Sequence, residues 1–127
     1  MSQIPPERWI SNLIGVANDI ADKGHQERRW LAPDRYAWEG PSELICVAFD
    51  DYVLDGFIEE FSPALSHEQR KAVIEFRDEL DKYNSETPGE LDPAIVLGDL
   101  RWATVRQKAA AFVVAFKDKW PTVEIRP

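Results

Sequence analysis

Hydrophobic residues recur every three or four positions over most of the chain, which is the spacing of one face of an α-helix. The first such run follows a Pro-Pro pair and predicts helix 1 from about 6 to 23, with Lys23-Gly24 as its end signal. Its apolar positions are Ile10, Leu13, Ile14, Ala17, Ile20 and Ala21.

The next stretch, HQERRWLAPDRYAWEG at 25–40, has no clean hydrophobic period and contains proline and glycine. It predicts an irregular connector. We expect three aromatic side chains to pin this connector to the core, and they are Trp30, Tyr36 and Trp38.

Two further helices follow the connector. Helix 2 is predicted from Pro41 to about Phe61, where Ser62-Pro63 ends it. Helix 3 opens on a capping box, Ser66 with Gln69 three residues later. Its apolar stripe consists of Val73, Phe76, Leu80 and Tyr83.

The last part of the chain predicts a loop, a short element near 93–98 and a final helix 4 capped by Asp99. The stripe of helix 4 is Trp102, Val105, Ala109, Phe112, Val113, Phe116 and Trp120. No strand pattern is longer than a few residues. The pattern therefore predicts an all-α fold, with residues 1–127 forming a single compact domain of four main helices and one short extra helical element.

The segment FDDYVLDGFIEEF at 49–61 places five carboxylates among apolar residues of helix 2. At about 100° per residue, Asp51, Asp55 and Glu59 form one ridge opposite the apolar side. An outer face is where acids also lie without any function. We expect the ridge to bind a partner, extended by two nearby acids, Glu43 and Glu86.

Asp50 differs from its neighbours, because the same count places it inside the apolar arc. A buried carboxylate is costly unless it is paired and hydrogen-bonded. We interpret it as a buried polar link from helix 2 to the connector and helix 4, with a catalytic role as the less favoured alternative. Its expected partners are Arg29, Arg35 and Arg101, with the indole groups of Trp30, Trp38 and Trp102.

Candidate chemistry is sparse elsewhere. Asp50, Asp51 and Asp55 project from different sides of the predicted helix, so they do not form a diphosphate-type metal motif. His25 and His67 lack ligand-spaced neighbours, and there is no zinc motif or phosphate-binding glycine loop. The sequence predicts no catalytic residue, no metal site and no cofactor.

Charge is unevenly distributed along the chain. The net charge is −8, yet residues 39–99 hold 16 acids against four bases, while the flanks hold seven acids against 11 bases. The middle block therefore carries −12 and the flanks +4. Such a block attracts basic proteins and disfavours direct binding of nucleic acid.

Composition adds the expected compartment. No run approaches the roughly 20 apolar residues that a membrane span requires, and the N-terminus lacks the order of a signal peptide. Cys46, the only cysteine, lies in LICVAF and is expected to be a buried small hydrophobe. We therefore expect a cytoplasmic protein without membrane contact.

These elements together resemble the small acidic all-α immunity proteins encoded beside bacterial polymorphic or contact-dependent toxins. The resemblance spans about 30 to 116 and consists of an Arg-Arg-Trp connector, a Ser-Glu helix opening, a central FDD, a serine cap, and a D-x-x-W opening followed by A-x-x-F. The residues are Arg28, Arg29, Trp30, Ser42, Glu43, Phe49, Asp50, Asp51, Ser66, Asp99, Trp102, Ala109 and Phe112.

The resemblance implies a non-catalytic inhibitor that covers a surface of its cognate toxin, and it assigns no catalytic residue. The acidic block is compatible with a basic partner of this kind. An alternative function remains open, namely a helical ligand-binding or enzymatic domain whose pocket gathers Asp50, tryptophans and an arginine. A third is a plain adaptor or self-associating protein.

Overall fold

The structure, a computed structural model, describes residues 6–34, 40–89 and 91–117. Within these ranges the regular structure is entirely helical, which confirms the all-α prediction. The α-helices are α1 (Pro6–Ala21), α2 (Lys23–Trp30), α3 (Pro41–Cys46), α4 (Leu54–Phe61), α5 (His67–Glu86), α6 (Pro93–Leu97) and α7 (Leu100–Phe116). A π-helical turn covers Val47–Asp51, and a 3₁₀ turn covers Ser62–Ala64.

The longest packing surfaces lie along α7, which contacts both α1 and α5. Phe76 of α5 stacks on Phe112 of α7, with ring centroids 5.4 Å apart. At the other end, Trp30 packs against Trp102. The stripe predicted for helix 4 is thus the centre of the core, and five of its residues are buried: Trp102, Val105, Ala109, Phe112 and Phe116. Trp120 lies outside the described residues.

Local signals placed the boundaries of two helices correctly. The Ser66 hydroxyl accepts from the Gln69 backbone, and the Gln69 side chain accepts from the Ser66 backbone, so α5 begins with the predicted capping box. The Asp99 carboxylate accepts from the Arg101 backbone and caps α7. The short element near 93–98 is α6.

The connector prediction was wrong for its first part, which is the helix α2. The Asp22 side chain accepts from the His25 backbone and caps this helix. Gln26 and Trp30, four residues apart, are its buried positions. This i, i+4 pair was the missed signal, because a buried glutamine does not count as hydrophobic in a periodicity search.

Helix 2 is divided in the structure, so the predicted count of four main helices was too low. The backbone amide of Tyr52 donates to the Val47 carbonyl at 2.8 Å, the i to i+5 bond of a π turn. Val53 then adopts the left-handed conformation, with φ 48° and ψ 61°. The indole of Trp9 donates to the Tyr52 carbonyl at 2.7 Å and holds this break against α1.

Candidate functional site

An acidic surface covers α4 and α5, which contact each other. The Arg77 guanidinium of α5 contacts Asp55 of α4 through two nitrogens, at 2.7 and 3.4 Å. It also lies 3.2 Å from the Asp78 carboxylate and 3.7 Å from that of Asp81. One cation is thus shared by three carboxylates. Its pKa is raised, chiefly by the hydrogen bond to Asp55.

The π turn belongs to the same surface. The Phe49 ring lies beneath the Arg77 guanidinium, 5.9 Å from its carbon to the ring centroid. Asp51 ends that turn and is exposed. Asp55 and Glu59 lie one turn apart on α4, and both are exposed. We call Asp51, Asp55, Glu59, Asp78 and Asp81 the Arg77 acidic surface.

The predicted ridge is only partly formed as a continuous helical row. Asp55 and Glu59 keep the expected i, i+4 relation, but the break at Tyr52 and Val53 separates Asp51 from them. Asp78 and Asp81 were not part of the predicted ridge. Their association with Asp55 depends on a contact between residues 22 positions apart, which no local pattern reveals.

Glu43 and Glu86 are exposed but have other neighbours than the Arg77 acidic surface. Glu86 lies at the end of α5, and its carboxylate is 3.4 Å from Arg101 of α7. Nine residues after Arg77, it projects from about the opposite side of α5. Glu43 lies on α3 and lines a groove against α1. Neither position is part of the Arg77 acidic surface.

The prediction of a buried link at Asp50 was wrong. Asp50 is exposed, and its carboxylate accepts a hydrogen bond from the Cys46 thiol at 3.3 Å. The π turn holds one residue more than an α-helical turn, so a phase counted at 100° per residue fails there. Cys46 is exposed as well, contrary to expectation, and the hydrogen bond to Asp50 raises the pKa of its thiol.

The expected partners of Asp50 are used elsewhere. Arg29 lies 3.7 Å from Asp34. Arg101 pairs with Asp99 at 2.9 Å and lies over the Tyr83 ring, 5.3 Å from its centroid. Arg35, Tyr36 and Trp38 lie outside the described residues, whereas the prediction that Trp30 and Trp102 are core residues is confirmed.

Asp99 is the centre of a small polar cluster at the start of α7. Its carboxylate accepts from the Arg101 guanidinium and from the Tyr83 hydroxyl, the latter at 3.1 Å. The hydrogen bond from Arg101 is the main cause that lowers the pKa of Asp99. Burial and the bond to Asp99 raise the pKa of Tyr83 to about 12. The cluster stabilises the contact between α5 and α7.

A groove lies between α1, α2, α3 and the π turn, with a volume of about 520 Å³. Its described lining includes Trp30, Tyr52, Asp19, His25 and Glu43. Trp30 belongs to both this groove and the predicted pocket, but Asp50, Arg29 and Arg101 do not line it. The pocket foreseen as the alternative site is therefore not formed as predicted.

Residues of the types that can bind metal ions do not cluster within the described ranges. Nowhere in 6–34, 40–89 and 91–117 do three histidine, cysteine, aspartate or glutamate side chains form a group that could hold a metal ion. None of the helices in this part of the chain combines the length and apolarity of a membrane span.

Comparison with models of protein families, with characterised proteins and with solved structures gives no match for the chain.

Proposed function

We propose that this chain is a non-catalytic binding protein that neutralises a basic partner protein through the Arg77 acidic surface. The observation that carries the proposal is the excess of exposed carboxylates on α4, α5 and the π turn. The surface consists of five acids and one arginine, of which three acids contact the arginine, and its formal charge is −4. In the manner of the immunity proteins that the sequence resembles, the partner is a bacterial toxin domain.

The positions of these acids support a role outside the folded chain. Asp51 and Glu59 are exposed and separate from the core, while Phe57 and Phe61 supply the buried side of α4. Asp55 and Glu59 repel each other at i, i+4 by a few tenths of a kcal/mol, roughly the value of one helical charge pair. A lysine- or arginine-rich surface of the partner offsets that repulsion on binding, and relief of the repulsion adds to the affinity.

Electrostatic attraction of this kind mainly raises the association rate. A surface with a charge of −4 steers a basic partner, and added salt screens the attraction over about 10 Å at 0.1 M ionic strength. We therefore expect the association rate to fall with salt while the dissociation rate changes little. Arg77 holds Asp55, Asp78 and Asp81 in place and so limits the entropy lost on binding.

The experiment begins with the full chain carrying an affinity tag in its source cell. We expect one basic protein to co-purify in stoichiometric amount, to be toxic when produced alone in a heterologous host, and to be neutralised when the chain is produced with it. Absence of a basic co-purifying protein, or continued toxicity on co-production, contradicts the proposed function.

A matched pair of variants then tests the surface. Asp51→Lys with Glu59→Lys reverses two exposed acids and leaves the Asp55–Arg77 pair intact, so the fold is retained. The control is Glu7→Lys with Glu68→Lys, two exposed first-turn acids on α1 and α5. Each reversal adds two charges, so both pairs change the net charge from −8 to −4.

The surface variant is expected to bind the partner more weakly by more than about tenfold, through slower association. The control is expected to change affinity by less than about threefold. Equal effects of the two pairs indicate that net charge alone acts, and they refute the assignment to the Arg77 acidic surface while leaving the inhibitory function intact.

A further inference from the structure

The groove between α1, α2, α3 and the π turn has the dimensions of a small-molecule site. Its volume of about 520 Å³ lies within the roughly 300–1,000 Å³ of ligand pockets in proteins. Trp30 of α2, which is 5% exposed, and Tyr52, which follows the π turn, are the aromatic residues of its described lining. Such rings offer an apolar surface with a negative face that attracts cations.

The charges in the groove have one predominant sign. Asp19 on α1 and Glu43 on α3 line it, and its described lining contains neither lysine nor arginine. Burial raises the pKa of Asp19, an effect opposed by His25 and reinforced by Asp22. Both carboxylates are exposed, and that of Asp19 is in part shielded from water by its neighbours, which strengthens its interaction with an opposite charge.

Gly15 on α1 lines the same groove, and the packing of the fold does not require a glycine there. A Cβ atom added at this position meets nothing within 4 Å. Glycine inside a helix is less favourable than alanine by about 1 kcal/mol. The missing side chain leaves open space on the α1 side of the groove.

We propose that this groove binds a small organic cation with an aromatic or apolar body, whose ammonium group lies between Asp19 and Glu43 and whose body lies against Trp30 and Tyr52. The site is separate from the Arg77 acidic surface and its occupation does not depend on the partner-binding function. The same charges repel a carboxylate-bearing analogue, which therefore binds more weakly.

The test uses three probes with one common ring: phenethylammonium, 2-phenylethanol and phenylacetate. They are titrated into the ¹⁵N-labelled full chain, and the indole resonance of Trp30 and the amide of Gly15 are followed by NMR. We expect phenethylammonium to shift these signals saturably and phenylacetate to bind more weakly by at least about tenfold. The neutral alcohol is expected to bind between these limits.

Three variants assign the binding to the groove. Gly15→Leu places a side chain in the groove from α1, keeps the helix and is expected to remove saturable binding of phenethylammonium. Asp19→Asn combined with Glu43→Gln keeps the shape of the groove and is expected to lower the affinity for phenethylammonium by about tenfold. Glu60→Gln, an exposed acid on α4, is the control and is expected to leave binding unchanged.

Several results overturn the proposal. Equal affinity for phenethylammonium and phenylacetate removes the charge argument, and an undiminished affinity in folded Gly15→Leu places the binding elsewhere. Signals that do not saturate up to the solubility of phenethylammonium also refute it. If Gly15→Leu fails to fold, the Asp19→Asn and Glu43→Gln double variant decides the outcome by its affinity.

Discussion

The indole of Trp102 donates a hydrogen bond to the side-chain oxygen of Gln26 at 3.2 Å, deep in the core and across 76 positions of sequence. Both side chains have no exposed surface. The Gln26 amide nitrogen donates in turn to the carbonyls of Asp19 and Ile20, both at 2.8 Å. One buried amide therefore joins the end of α1 to α2 and α7, with its donors and its acceptor all engaged.

Replacing Gln26 by methionine is expected to destabilise the fold by about 2–3 kcal/mol. Methionine has a similar length but leaves the Trp102 indole and two carbonyl groups of α1 without their partner. Urea denaturation of the purified variant measures the loss. Gln107→Met, at an exposed position of α7, is the control and is expected to change stability by less than about 0.5 kcal/mol. Similar losses in both variants contradict this role for Gln26.

Val53 stores backbone strain, because a β-branched residue rarely adopts a positive φ. Glycine adopts this conformation without a steric penalty, so Val53→Gly is expected to stabilise the fold by about 1 kcal/mol. The side chain is 43% exposed, which limits the packing lost. Thermal unfolding followed by calorimetry measures the change.

Val114→Gly is the matched control for Val53→Gly. Val114 is 68% exposed and lies in the last turn of α7. There glycine is expected to destabilise by about 0.5 kcal/mol. A loss of stability in Val53→Gly as large as that in Val114→Gly argues that the Val53 side chain contributes more to packing than its conformation costs.

Arg77 keeps three carboxylates together on the surface, and its removal exposes their mutual repulsion. Arg77→Met is expected to destabilise the fold by about 1 kcal/mol at low salt, and by less in concentrated sodium chloride, which screens the repulsion. Denaturation at several salt concentrations measures the trend. Lys82→Met makes the same charge change at an exposed position of α5 and is expected to show a smaller effect. A loss that grows with salt contradicts the electrostatic explanation.

The lowered pKa of Asp99 predicts that the stability of the fold depends on pH. Its pKa is lowered in the folded state, so its ionised form contributes stability above the unfolded value of about 4, and that contribution disappears as pH falls through the folded pKa. Asp99→Asn is therefore expected to be less stable than the wild type by about 1 kcal/mol near pH 7. Urea denaturation as a function of pH measures the difference.

The difference between wild type and Asp99→Asn is expected to shrink as the pH falls through the lowered pKa of Asp99, because the wild-type carboxylate is then also protonated. Glu68→Gln, an exposed first-turn acid of α5, is the control for loss of one negative charge. A stability difference at Asp99 that stays constant over the whole pH range shows that its charge is not what stabilises the cluster.

The sequence by itself determined the helical class, the start of α5 and the buried stripe of α7. Ser66 and Gln69 satisfy each other within one turn, and Trp102, Val105 and Ala109 share a face through helical spacing. These features arise from neighbours three to seven positions apart, so a local pattern contains the information. The excess of acids in residues 39–99 was likewise evident from the sequence alone.

Only the tertiary structure decided the course of the chain near Asp50. Trp9 binds the Tyr52 carbonyl from 43 positions away and supports a π turn followed by a left-handed valine, so the helical phase changes and Asp50 becomes exposed. Arg77 brings Asp78 and Asp81 to Asp55 by a contact across two helices. Such long-range hydrogen bonds and ion pairs form when helices pack, and no hydrophobic period along the chain encodes them.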